Sequence, residues 1–222
     1  MKAVHESTGD RLLWCVLGLA LVLPVAMLIR GAVRNGIVAP FHGQSGDGLG
    51  DYGVVPDFSL TERSGAVLQR SDLAGSPWFA DFVYTRCNGS CPLLGEKMSR
   101  LEHAVGGRAR LVSFSVDPAH DTPEVLSAYA DRFGASAASW LFLTGDVASL
   151  RRLVGEGFHL AVADPPPGEP ELAGTITHSE KIALVDANLR IRRYYDGVSA
   201  DWIDSALADL ADLATARGKN GA

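Results

Sequence analysis

Two of the three cysteines in this 222-residue chain stand three residues apart, in TRCNGSCP at residues 85–92. Three chemistries suit such a pair: a structural disulfide, a thiol–disulfide redox couple, or two thiolate ligands for a soft ion such as Cu(I) or Zn. A staple is a poor use of the spacing. The loop it closes is so short that its entropic contribution would be among the smallest of any disulfide. A redox couple usually has two intervening residues, and this pair has one more. A metal site needs at least a third ligand; zinc normally takes four, whereas Cu(I) is content with two or three. On spacing alone the redox and metal readings both stand.

A third ligand would most naturally be a histidine, and the chain has six. His5 and His42 lie in or near a non-globular N-terminal region. His103 falls on the polar side of a predicted helix. His120 sits in a turn beside Asp121, where a surface role is the ordinary expectation. His159 is expected to begin a strand, with no partner evident. His178 differs, because it immediately precedes the strand KIALVDA within GTITHSEKIALVD and so belongs at one end of a sheet. A lone histidine is more often structural than ligating, so spacing does not assign it.

The elements that must position these residues alternate between strand and helix. WFADFVY at 78–84 reads as a buried strand running straight into the cysteines. From Pro92 onward, Leu94, Met98, Leu101 and Val105 recur at helical spacing, with proline in the first turn. ARLVSFSVD at 109–117 is a second buried strand. DTPEVLSAYADRF predicts a helix capped by Asp121 or Thr122, with Pro123 at its first position. A short strand around Phe142 leads to a helix capped by Asp146, whose apolar face carries Val147, Leu150, Leu153 and Val154. A Pro-rich loop, DPPPGEP, follows at 164–170. KIALVDA and IRRYYDG form a hairpin about Asn188, and a last helix places Ile203, Leu207, Leu210 and Leu213 on one face. Alternation of this kind predicts an α/β sheet covered on both faces, made mixed by the closing hairpin.

Cys87 therefore follows a central strand and Cys91 immediately precedes a helix. Reactive groups in open α/β sheets gather at the carboxyl ends of strands. A helix N-terminus favours thiolate over thiol through its dipole and its unpaired N–H groups.

The N-terminus has a separate character. Residues 12–29, LLWCVLGLALVLPVAMLI, carry no charge and are close to the minimum length for crossing a bilayer. Arg11 and Arg30 bracket them, and Trp14 stands where an interfacial aromatic belongs. The run is longer than a usual signal-peptide core, and no A-x-A-like cleavage site stands out. It reads as a transmembrane anchor in contact with lipid, with Cys15 a small apolar residue inside it. The expected organisation is a tail at 1–11, the anchor at 12–29, a flexible Gly-rich tether at 30–53, a folded domain at 54–217 and a disordered tail at 218–222. A net charge of −6 and the lack of any basic run exclude a sequence-independent role on nucleic acid.

From about Val54 to Leu213 the sequence resembles the SCO/SenC proteins, membrane-tethered thioredoxin-like copper chaperones of cytochrome c oxidase assembly. Four segments in order carry the resemblance: PDFSL at 56–60, YTRCNGSCP at 84–92, SVDPAHDTPEVLSAY at 115–129 and THSEKIALVD at 177–186. It implies a thioredoxin-like mixed sheet flanked by helices, preceded by one transmembrane helix. It implies copper as Cu(I), with Cu(II) accommodated by a further ligand, held by Cys87, Cys91 and His178. Asp117 and Asp121 fall in the family's D-P-x-x-D-T-P segment and are expected to orient ligands or shape the loop. Further implications are an oxidase subunit as copper acceptor, other periplasmic copper chaperones or thiol reductants as partners, and a bacterial inner membrane location with the domain in the periplasm. The family commonly has proline directly after the first cysteine, where this chain has Asn88. A thiol–disulfide reductase acting through Cys87 and Cys91 on the oxidase subunit's cysteines is the alternative. A peroxidase is disfavoured, because Thr85 and Cys87 make T-x-C where that class favours T-x-x-C.

Overall fold

A computed structural model describes residues 49–87, 91–160 and 180–220. The predicted anchor, most of the tether, the Pro-rich stretch and His178 lie outside the described residues. Among the described residues no helix is long and apolar enough to cross a membrane.

Seven strands form one mixed sheet: β1 Ser59–Glu62, β2 Val67–Gln69, β3 Trp78–Val83, β4 Arg110–Ser115, β5 Trp140–Thr144, β6 Lys181–Val185 and β7 Ile191–Asp196. Their spatial order is β2-β1-β5-β4-β3-β6-β7. The central strands β3, β4 and β5 are parallel, and the flanking pairs are antiparallel. Among the described residues four α-helices accompany them: α1 Cys91–Val105, α2 Pro123–Arg132, α3 Val147–Arg152 and α4 Trp202–Asn220. This is a thioredoxin-like arrangement.

β3 shows why the centre holds. All six of its residues are buried, as a parallel strand covered on both faces requires. Phe79 and Val83 face the layer formed by Leu94, Met98 and Leu101 of α1, Leu126 of α2, and Trp202 and Leu210 of α4. Trp78, Ala80 and Phe82 face Val55, Phe58, Leu73, Leu150 of α3, and Leu153, Val154 and Phe158 beyond it. The Phe82 and Phe158 rings meet edge to face at 5.1 Å. The predicted caps form as read: Thr122 Oγ1 accepts from Val125 N at 3.4 Å and Asp146 Oδ1 from Ser149 N at 2.9 Å.

The structure departs from the sequence expectation in four places. The apolar stripe of α4 is rotated, so that Trp202, Ala206 and Leu210 are buried while Ile203, Leu207 and Leu213 only flank the core. The helix after Asp146 is short and passes into a π turn at Leu153–Gly157, leaving Val147 exposed while Leu150, Leu153 and Val154 are buried. His159 does not begin a strand; it has φ 53°, and its Nε2 lies 3.2 Å from the Tyr52 carbonyl oxygen. Within the Gly-rich stretch, Tyr52 N donates to Ile191 O and Arg192 Nε donates to Gly50 O, so bonding to the sheet begins ahead of Val54.

Candidate metal centre

β3 and β4 run parallel in register up to Val83 and Ser115, so the loops that leave them emerge side by side at the carboxyl edge. The first loop turns at once: Cys87 N donates to Tyr84 O at 3.1 Å, which places Cys87, partly exposed, just beyond the strand end. Cys91 opens α1.

The second loop, residues 116–122, is folded on itself and bonded to the first. His120 N and Asp121 N both donate to Asp117 O, at 3.0 and 2.8 Å. Ser115 Oγ donates to Asp121 Oδ2 at 2.7 Å and accepts from Asp117 N at 3.1 Å. Side-chain contacts then cross between the loops. Arg86, beside Cys87, donates to Asp117 Oδ2 from Nη2 at 2.5 Å and from Nε at 3.1 Å. Thr85, two residues before Cys87, donates to Asp121 Oδ1 at 2.5 Å. The Asp117 carboxylate raises the already high pKa of the Arg86 guanidinium, which also lies 5.7 Å over the Tyr84 ring.

The structure thus brings the Cys87 turn beside Asp117 and Asp121, whose carboxylates accept from Arg86 and Thr85. Arg86 stood unremarked within the cysteine motif, and Thr85 was weighed only for the T-x-C pattern it makes with Cys87. Their only sequence signal was adjacency to Cys87, since pairing with a loop some thirty residues on is a property of β3–β4 register. His120, read as a surface residue, is half-buried and its Nδ1 lies 3.1 Å from Asp121 Oδ1. A hollow of about 950 Å³ lies elsewhere, lined by Pro77, Asp186 and Leu210 at the opposite end of β3.

The SCO1/SenC family profile matches residues 47–215. The chain belongs to the SCO1/SenC family. Among SCO1/SenC relatives, the SCO1 protein homolog of Bacillus subtilis is 28% identical over 169 residues, covering 74% of this chain and 84% of that protein. Of solved SCO1/SenC structures, BsSco, described with a disulfide switch and as a member of a family of cytochrome c oxidase assembly proteins, superposes with TM-score 0.64 at 26% identity. That match covers 78% of this chain and 99% of the other. Bradyrhizobium japonicum ScoI, solved with copper bound, shares the fold at TM-score 0.60 and 24% identity, over 72% of this chain and 99% of its own.

One further ionisable group in this SCO1/SenC chain escaped the sequence reading. Asp81, in the middle of β3, is fully buried on the face covered by α1. Burial pushes its carboxyl up to about 7, although Ser113 Oγ donates to Oδ1 at 2.5 Å. Its Oδ2 has no hydrogen-bond partner among the described residues. Ser113 Oγ in turn accepts from Trp140 Nε1 at 2.8 Å.

Proposed function

We propose that this chain binds one copper ion through the thiolates of Cys87 and Cys91 and the imidazole of His178. It passes that ion to, or prepares, the CuA-type centre of a respiratory cytochrome c oxidase. The observation that carries this reading is the bracing of the Cys87 turn by Asp117 and Asp121, through Arg86 and Thr85, in a chain of the SCO1/SenC family. The copper bound to B. japonicum ScoI supports the choice of metal.

The donor set suits the cargo. Two thiolates and one imidazole favour Cu(I) over harder ions, and Cu(II) would take a further ligand. A site on loops at a sheet edge leaves one side open. A partner's thiolates can enter there, and the metal leaves by ligand exchange without change of oxidation state. The residues of this chain hold Cys87 in place: Thr85 and Arg86, both inside the turn closed by Cys87 N and Tyr84 O, tie that turn to the loop after β4. The apolar segment 12–29 serves as an inner-membrane anchor, with residues 30–48 as tether and the domain in the periplasm, where an oxidase copper centre would be met.

A second reading is favoured by one observation, the disulfide switch of BsSco. In it one thiolate of the pair attacks a disulfide of the oxidase subunit to give a mixed disulfide. The other thiolate then displaces the second target sulfur. Two electrons leave the pair, the target becomes a dithiol, and a Cys87–Cys91 disulfide remains.

Competition titration of the full chain with Cu(I) against a chelator tests the first reading. The expectation is one copper per chain and clear weakening in His178→Ala. If that variant binds copper as tightly as the wild type, the ligand set is wrong. Undiminished reduction of a disulfide substrate by His178→Ala would favour the second reading.

A further inference from the structure

Asp117, His120 and Asp121 bring ligand-type atoms within 4.8 Å of one another, beside the Cys87 turn. The trio is not itself a cation cage. Arg86 already occupies Asp117, and Asp121, with no exposed surface, accepts from Ser115, Thr85 and His120. The ring nitrogen that these contacts do not use is Nε2 of His120.

The tautomer follows from the partners. His120 Nδ1 faces two oxygens, Asp121 Oδ1 at 3.1 Å and Thr85 Oγ1 at 3.3 Å. Thr85 spends its own proton on Asp121, so its oxygen can accept. A carboxylate and a hydroxyl oxygen together place the imidazole proton on Nδ1, and the Nε2 lone pair is then available. A carboxylate behind the far nitrogen is how metal-ligating histidines are commonly held and made more basic. The ring is 40% exposed, so that lone pair is not sealed in the core. Thr85 stands two residues from Cys87, a backbone span of at most about 7 Å. The nearby positive charge of Arg86 is offset by Asp117, which removes the main electrostatic objection to a metal there.

We propose that His120 is an additional copper ligand of this chain, taking through Nε2 the metal that Cys87 holds while it enters or leaves the site. The inference presupposes copper at Cys87. Exchange at a three-coordinate ion goes readily when a new ligand binds before an old one departs. An imidazole beside the cysteine turn supplies that ligand, and no electron is transferred.

The test uses the full chain and Cu(I), with bathocuproine disulfonate as competitor and X-ray absorption to count imidazole donors on the bound metal. His178→Ala removes the proposed resident imidazole. In that variant the bound copper should still show one imidazole, now from His120. Adding His120→Asn, whose amide N–H can keep the bond to Asp121 but offers no Nε2, should weaken binding by about tenfold or more and abolish the imidazole signal. No imidazole on copper in His178→Ala, no copper bound by it, or equal affinity in the double variant would overturn the proposal. Copper binding unchanged in Cys87→Ser overturns the copper site and this inference with it. Binding that needs Cys87 but ignores His120 overturns the inference alone.

Discussion

Arg86 donates from both Nε and Nη2 to a single oxygen of Asp117, at 3.1 and 2.5 Å, joining the residue beside Cys87 to the loop that follows β4. Asp117 is 7% exposed and Arg86 34%, so the pair sits at the boundary of solvent. A partly exposed ion pair contributes little to global stability but can still fix local geometry.

Asp117→Asn should therefore separate site from fold. Loss of the charge loosens Arg86 and the Cys87 turn. Copper affinity is expected to fall by about tenfold, in the range for residues that orient metal ligands. Unfolding free energy should change by no more than about 1 kcal/mol. Chelator competition and denaturant melts on the same preparation check both, and a large stability loss with unchanged affinity would refute the assignment.

Thr85→Val removes one of the three donors to the fully buried Asp121. A buried acceptor left short of partners costs about 1–3 kcal/mol. The expected loss is of that size, measured by denaturant unfolding, with Thr85→Ser recovering most of it because the hydroxyl returns.

Asp81 predicts a pH dependence. Its folded pKa, about 7, stands above the ordinary 3.8, so the native state binds more protons than the unfolded state between those values. Its stabilising contribution is therefore complete below about pH 4 and is lost as pH rises to about 7, after which it is flat. At about 1.36 kcal/mol per pKa unit the full difference is about 4 kcal/mol, an upper figure. Asp81→Asn should abolish this slope and gain about 1–3 kcal/mol at pH 8. Melts of both proteins from about pH 4 to 8 test it; an unchanged slope in the variant would place the titrating group elsewhere.

Gly95 is where α1 lets the Phe133 ring in. A Cβ built there would stand 2.4 Å from Phe133 Cζ, closer than any carbon contact allows. Gly95→Ala should cost about 1–3 kcal/mol by overpacking, despite the better helix propensity of alanine. The double variant Gly95→Ala, Phe133→Leu should recover part of that cost in the same melts.

Sequence by itself determined the elements whose signals are local. Thr122 and Asp146 cap their helices because each offers an oxygen one turn ahead of unpaired N–H groups. β3 and β4 were legible as unbroken apolar runs, and the hairpin at Asn188 from its short turn. Cys87 stood out by its spacing from Cys91, whereas Asp117 and Asp121 came forward only through the family resemblance. Tertiary structure alone decided how these motifs meet. The face of α4 that is buried depends on what it packs against, and Trp202 and Ala206 displaced the leucine stripe that periodicity favoured. Parallel pairing of β3 with β4 brings Thr85 to Asp121 and Arg86 to Asp117, across about thirty residues of chain. That same pairing brings Thr85 Oγ1 within 3.3 Å of His120 Nδ1. No local pattern encodes such a contact, because register between strands is set by the whole sheet and its packed faces.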